Sequence, residues 1–255
     1  MMQIKPLGTF PEEISRRFNL SSYLVNGEIA IDAGSLGIGL SAEDQNRVHS
    51  IILTHTHIDH IATLPLFLEN GMGQRETAPS LYATPHNIAM LRKHLFNNVL
   101  WPDMTRISQN YLNMVEIDPY EEINVGEFSF HLFPVNHPIP TYGLILRERR
   151  RNVDVLFSSD TSICDVIWIE ANKSRRLKAI FIETSFPNAY NELALSSGHL
   201  TPSLLANELT KLQRKIPIYL THYKRQFIDE IEREVRQITD HEITICRLGE
   251  TITID

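Results

Sequence analysis

Five short apolar runs, at residues 50–54, 128–135, 153–158, 179–182 and 217–221, each lead straight into a polar residue able to bind a ligand. Runs of this length, rich in Val, Ile, Leu and Phe, read as buried strands rather than helices. Strands that end this way imply one sheet edge carrying chemistry, with helices packed outside. Helical patterns fall between them, at 85–97, 161–171, 203–214 and 225–238. Thr201 and Pro202 supply an N-cap followed by proline in the first turn. The ends read as hairpins, at 22–32 and around Leu248-Gly249-Glu250 within 243–254. Two mixed sheets flanked by helices, an αββα sandwich, is the expected architecture. No repeat, low-complexity tract or linker divides the chain, so residues 1–255 are expected to form a single domain.

The densest polar stretch is Thr54-His55-Thr56-His57-Ile58-Asp59-His60, where the first apolar run stops. In an extended segment side chains alternate, so His55 and His57 face one side and can close on one ion, while Asp59 and His60 are displaced toward a neighbouring ion. A surface loop that is merely polar is the competing reading, and the abutting strand argues against it. The other runs supply His137, Asp160, Glu183 and His222. Singly, each has an ordinary explanation, such as an N-cap for Asp160; their repeated placement favours metal. With two cysteines, Cys164 and Cys246, far apart, neither a disulfide framework nor a thiolate cage is available. Histidine and carboxylate must then hold any metal, a mixture that suits Zn, with Mn or Fe as alternatives.

These motifs resemble the metallo-β-lactamase superfamily over nearly the whole chain. The resemblance implies His55, His57 and His137 on a first metal, Asp59, His60 and His222 on a second, and Asp160 bridging both. The lactamases themselves commonly carry cysteine where Asp160 stands. Glu183-Thr184-Ser185-Phe186-Pro187, Ser197-Gly198-His199-Leu200-Thr201-Pro202 and the stretch 91–103 are similar to the class II cyclic-nucleotide phosphodiesterases. The expected activity is therefore hydrolysis of a 3′,5′-cyclic nucleotide, cAMP or cGMP, to the 5′-monophosphate by metal-bound hydroxide. The related tRNase Z enzymes grip tRNA with a long flexible arm, of which no counterpart is visible. A tRNase Z-like enzyme, an ester or thioester hydrolase, and a non-catalytic metal-bound nucleotide-binding module are the alternatives.

Two divalent cations roughly 3.5 to 4 Å apart can hold a hydroxide and steady the entering and leaving oxygens of an in-line displacement. The leaving alkoxide still needs a proton. His199, a loop histidine ahead of a helix start, is the candidate general acid, with Glu183 keeping its imidazole protonated. Asp59 is counted with this catalytic group as well as among the ligands. Asn97, Trp101 and Asp103 are candidate substrate contacts, Trp101 by stacking on a purine, although aromatics more often pack. Asp32, in Ile31-Asp32-Ala33-Gly34, is either a partner of the histidine loop or a turn former. His86 and His94 fall on an amphipathic helix, and His49, His131 and His241 have no convergent partners.

The formal charge of −7 makes a long nucleic acid a poor partner, though two dications could invert the field locally for one small nucleotide. No run is long enough to span a membrane and the first residues show no secretory leader, so a cytoplasmic protein is expected. The segment 69–127 is the candidate helical lid, substrate segment or homodimer contact.

Overall fold

A computed structural model describes residues 1–7, 20–103 and 111–255. The part of segment 69–127 at 104–110 therefore lies outside the described residues. The chain forms two compact units, Met1–Asp118 with Arg247–Thr253, and Pro119–Cys246 with Ile254–Asp255. Two mixed sheets flanked by helices are present, each of seven strands among the described residues.

The first sheet begins with β1 (Met2–Pro6), antiparallel to β2 (Tyr23–Val25), which forms the expected hairpin with β3 (Ile29–Ile31). Asn26 and Gly27 at its tip take φ of 49° and 78°. Their left-handed backbone matches the strand twist, as Asn-Gly turns do. Beyond β3 the sheet is parallel through β4 (Ser50–Ile52), β5 (Ser80–Ala83) and β6 (Asn113–Glu116). Between these strands run α1 (Ala42–Arg47), α2 (Ile58–Ile61), α3 (Leu64–Asn70) and α4 (Pro85–His94). Phe67, Leu64, Ile88 and Leu91 of α3 and α4 are buried with Ile51 and Leu81 of the sheet in one core. Because Ile31 pairs with Ile52, β3 and β4 stop level, which sets Asp32 beside Thr54.

The second sheet starts as an antiparallel meander, β7 (Ile123–Val125), β8 (Phe128–Pro134), β9 (Tyr142–Glu148) and β10 (Val153–Phe157). It continues in parallel with β11 (Leu177–Glu183), β12 (Ile218–Thr221) and β13 (Ile243–Ile245). Helices α5 (Asp165–Lys173), α6 (Asn191–Ser197), α7 (Pro202–Leu209) and α8 (Ile228–Val235) complete the unit. Trp168, Leu205, Leu209 and Ile231 from three of them join Ile180 and Leu220 in its core. Pairing of Phe157 with Phe181 and of Glu183 with Thr221 ends β10, β11 and β12 near one line. Carboxyl ends of parallel strands are where such sheets bind ligands.

Several boundaries differ from expectation. The helix expected at 161–171 begins only at Asp165, because Ser159 turns the chain at φ 56° and Thr161 and Ser162 donate their N–H groups to Glu183 and Asn136. Asp160 is thus not an N-cap. The helix expected at 203–214 runs from Pro202 to Leu209, where tighter bonds from Lys211 N to Glu208 O and Leu212 N to Leu209 O close it. The segment 225–238 is a short 3₁₀ turn, Arg225–Phe227, followed by α8. The strand expected at 179–182 includes Glu183 as its last residue. The closing hairpin is absent: β13 joins the second sheet, while β14 (Ile252–Ile254) joins the first beside β1, after Gly249 N bonds to Pro6 O at 2.8 Å. No helix among the described residues is long and apolar enough to cross a membrane.

Candidate metal centre

In the first unit, His55 follows β4 and is fully buried. Its ring centroid lies 4.9 Å from that of His57, so the two histidines do converge, with ligand atoms within 4.8 Å of each other. The chain then turns into α2, which carries Asp59 and His60, and their ligand atoms also fall within 4.8 Å. A backbone clamp holds this turn: Ser21 N donates to Asp59 O and Ala33 N to His60 O, both at 2.8 Å. Gly34 makes the clamp feasible, since a Cβ there would sit 1.8 Å from Asp59 O.

The imidazoles are oriented from behind. Nδ1 of His60 donates to Asp32 Oδ2 at 2.7 Å. The Thr54 hydroxyl donates to the same carboxylate at 2.9 Å and lies 3.0 Å from Nδ1 of His55. Both rings are thereby set with hydrogen on Nδ1, leaving the buried Nε2 as the basic atom. Asp32 is the partner of the histidine loop and also adopts a turn conformation, with φ 59°.

The second unit brings together the later candidates. His137, beyond β8, donates from Nδ1 to Gly198 O at 3.0 Å. Asp160 is buried, with a ligand atom within 4.8 Å of one on His137 and one on His222. His222, past the end of β12 with φ 53°, places Nε2 3.4 Å from Asp160 Oδ1 and Nδ1 3.1 Å from Ser185 Oγ. For His55, His60, His137 and His222, then, Nδ1 is engaged elsewhere and Nε2 is left as the donor, and Asp59 and Asp160 add carboxylate oxygens. That donor chemistry fits divalent Zn, Mn or Fe.

Glu183 and His199 meet at 2.7 Å through Oε1 and Nδ1. The His199 ring stacks on His222 with centroids 5.5 Å apart and meets His137 edge-on at 5.2 Å. Burial opposes charge on His199, but the charge and hydrogen bond of Glu183, helped by Asp160, outweigh it and raise the imidazole above its ordinary value. Glu183 does more than orient His199: it also accepts from Thr161 N, Ser185 N, Ser185 Oγ and Leu200 N, tying the Asp160 loop to the His199 loop.

Ser185 was not singled out by sequence. Its hydroxyl lies 3.1 to 3.2 Å from Nδ1 of both His222 and His199. The available signals were its place within Glu183-Thr184-Ser185-Phe186-Pro187 and its position two residues beyond the strand-ending Glu183. Gly198 was missed likewise, although its φ of 77° marks the C-cap of α6. Asn97 spends its amide on the local loop, accepting from Val99 N and Leu100 N and donating to Lys93 O. Trp101 is half-buried against the first unit's core, and Asp103 N donates to Asn98 Oδ1. His86 and His94 are exposed on α4, His49 faces Glu28 and His131 faces Glu170.

Among curated proteins, 3′,5′-cyclic-nucleotide phosphodiesterase 1 of Saccharomyces cerevisiae is 29% identical over 186 residues, covering 63% of this chain and 49% of that one. The chain thus spans about half the length of that relative. A probable 3′,5′-cyclic-nucleotide phosphodiesterase of Yersinia pestis is 24% identical over 263 residues, covering 82% of this chain and 75% of the other. The crystal structure of unliganded yeast PDE1 superposes with a TM-score of 0.82 at 21% identity, covering 98% of each chain, which establishes the fold. The Beta-lactamase superfamily domain profile matches residues 37–223. That stretch opens ahead of the first clustered histidine and closes just past His222, and the chain belongs to this metallo-β-lactamase superfamily with its two mixed sheets flanked by helices.

Proposed function

We propose that the chain is a metal-dependent hydrolase, specifically a dinuclear phosphodiesterase that opens a 3′,5′-cyclic nucleotide to its 5′-monophosphate. The observation that carries this reading is the 2.7 Å Glu183–His199 pair stacked on His222, a candidate proton donor beside a candidate metal ligand. The names of the Saccharomyces and Yersinia relatives support the same substrate class.

In this reading His55, His57 and His137 would hold one divalent ion and Asp59, His60 and His222 the other, with Asp160 available to both. Two such ions, when bound, supply charge neutralisation at phosphate and an activated water. The remaining work belongs to the chain. Asp32, Thr54, Gly198 and Ser185 hold the imidazoles in one tautomer and one orientation. His199 gives its proton to the departing ribose oxygen, and Glu183 keeps that proton in place until then. Among the candidate substrate contacts, Trp101 offers an aromatic ring for a base and Asp103 a carboxylate; within the segment 69–127, β5, α4 and β6 are part of the first sheet and its core, which leaves, among the described residues, the connection at 97–103 for the lid or substrate segment expected there.

The test is metal-reconstituted protein against cAMP and cGMP with the product identified, and against precursor tRNA in parallel. Formation of the 5′-monophosphate supports the proposal. Cleavage of precursor tRNA with neither cyclic nucleotide turned over replaces it with the tRNase Z-like reading. Tight cyclic-nucleotide binding at full metal occupancy without hydrolysis replaces it with a binding module.

A further inference from the structure

Strand β4 stops at Ile52, and Leu53 still donates its N–H to Tyr82 O of β5 at 2.9 Å. Thr54, which hands the chain to His55, lies beyond the strand and is buried, so its polar groups need partners. Side chains provide them from both flanks. From the β3 side, the Asp32 carboxylate accepts from the Thr54 N–H at 2.8 Å and from its hydroxyl at 2.9 Å. From the β5 side, Asn87 donates from Nδ2 to the Thr54 carbonyl at 3.1 Å. Asn87 is the third residue of α4, and it comes within reach because β5 ends at Ala83 and the helix begins at Pro85.

Asn87 is fully buried on the helix that carries Ile88 and Leu91 into the first unit's core, and its Oδ1 has no partner among the described residues. An unpaired buried amide oxygen costs more than one neutral hydrogen bond returns. For packing alone an aliphatic side chain would serve better here. What the amide supplies is its one bond to Thr54. The Thr54 carbonyl belongs to the planar peptide that ends in the His55 nitrogen, so pinning that oxygen fixes the direction in which His55 leaves the strand. Asp32 cannot do this, because it holds the other two polar groups of Thr54.

We propose that Asn87 is a positioning residue for the candidate metal centre, pinning the Thr54 carbonyl so that the His55 imidazole presents its buried Nε2 at a fixed place. It acts opposite Asp32, on a different atom of the same residue. The inference rests on the reading of His55 as a metal ligand, and adds a residue from α4 that touches no ligand side chain itself.

The experiment compares full-length wild type with Asn87→Leu, Asn87→Ala and Ile88→Val. Asn87→Ala adds no bulk and serves where leucine does not fit. Ile88→Val is the control, since it removes buried carbon from the neighbouring position and leaves the bond to Thr54 intact. Zinc affinity is measured by chelator competition, stability by denaturant unfolding of metal-free protein, and the state of His55 by its imidazole nitrogen NMR signals in metal-free protein. Both Asn87 variants are expected to lose roughly 10- to 100-fold in zinc affinity, as when an outer partner of a metal ligand is removed. Their His55 signals should be displaced, whereas Ile88→Val keeps wild-type affinity and signals whatever stability it loses. Unchanged zinc affinity in the Asn87 variants overturns the proposal. An equal loss in Ile88→Val overturns it too, since affinity would then follow stability alone. Should wild type take up no Zn, Mn or Fe, the metal reading fails, and the His55 signals decide the role of Asn87 by themselves: displaced signals support it and unmoved ones overturn it.

Discussion

Asp32 and His60 are joined at 2.7 Å across 28 residues of chain, and through the Thr54 hydroxyl the same carboxylate also governs His55. One acid thus sets the tautomer of two histidines that the fold presents side by side. Asp32→Ala is expected to weaken metal binding by roughly 10- to 100-fold, the usual cost of losing such a partner. It also leaves Thr54 N, which donates to Asp32 at 2.8 Å, without its acceptor, at a cost of about 1–3 kcal/mol. Chelator competition measures the first effect and denaturant unfolding of metal-free protein the second. Wild-type metal affinity in the variant would show that the loop holds its histidines unaided.

His199→Ala separates ligation from proton transfer. His199 touches Glu183 and Ser185, stacks on His222 and meets His137 edge-on. Both metals are expected to stay while kcat on a cyclic nucleotide falls by about 10²–10⁴-fold, the range for loss of a positioned acid. A substrate with a good leaving group, such as a p-nitrophenyl ester, should lose much less. Equal loss on both substrates would remove the general-acid role.

Glu183→Gln tests the pH dependence of the same proton. In the native chain Glu183 raises the His199 imidazole above its ordinary value, against the effect of burial. A general acid works only while protonated, so activity should fall as pH rises through that raised value. Without the charge of Glu183, His199 deprotonates sooner, and the alkaline limb of the rate profile moves to lower pH. The stability contribution of the pair has the same sign: it is complete below the ordinary imidazole value and lost as pH rises through the raised one. Rate profiles of the metal-loaded variants check the shift, and an unmoved alkaline limb would assign that limb to another group.

What was legible in the sequence follows from how local each signal is. The strand ends could be read because an apolar run and the ligand that stops it are adjacent, and parallel register then sets Asp160, Glu183 and His222 at neighbouring strand ends. The Asn26-Gly27 hairpin is equally local. The closing segment misled because the partner of β14 is β1, at the far end of the chain, and nothing near 252–254 announces it. Asp160 taken singly could pass for an N-cap, because His222, 3.4 Å away, arrives 62 residues later; only the repeated placement of ligand residues at strand ends argued for metal. Ser185 stayed hidden for the same reason: a serine after a strand is ordinary until two histidines converge on its hydroxyl.

Gly198 offers the most selective test of how His137 is held. Its carbonyl accepts from Nδ1 of His137 at 3.0 Å, and its φ of 77° is a conformation that side chains resist. A Cβ there would lie 2.4 Å from Pro138 Cδ and 2.9 Å from His137 Nδ1. Gly198→Ala therefore combines a backbone cost of about 1–2 kcal/mol with displacement of a metal-ligand candidate. Gly27→Ala is the matched control, since Gly27 has nearly the same φ, 78°, but nothing within 4 Å of the added Cβ. Both variants should unfold earlier than wild type, while only Gly198→Ala should lose bound metal, measured by elemental analysis after dialysis. Equal metal content in the two would mean that His137 keeps its position when the α6 C-cap is distorted, and that the carbonyl of residue 198 does not orient it.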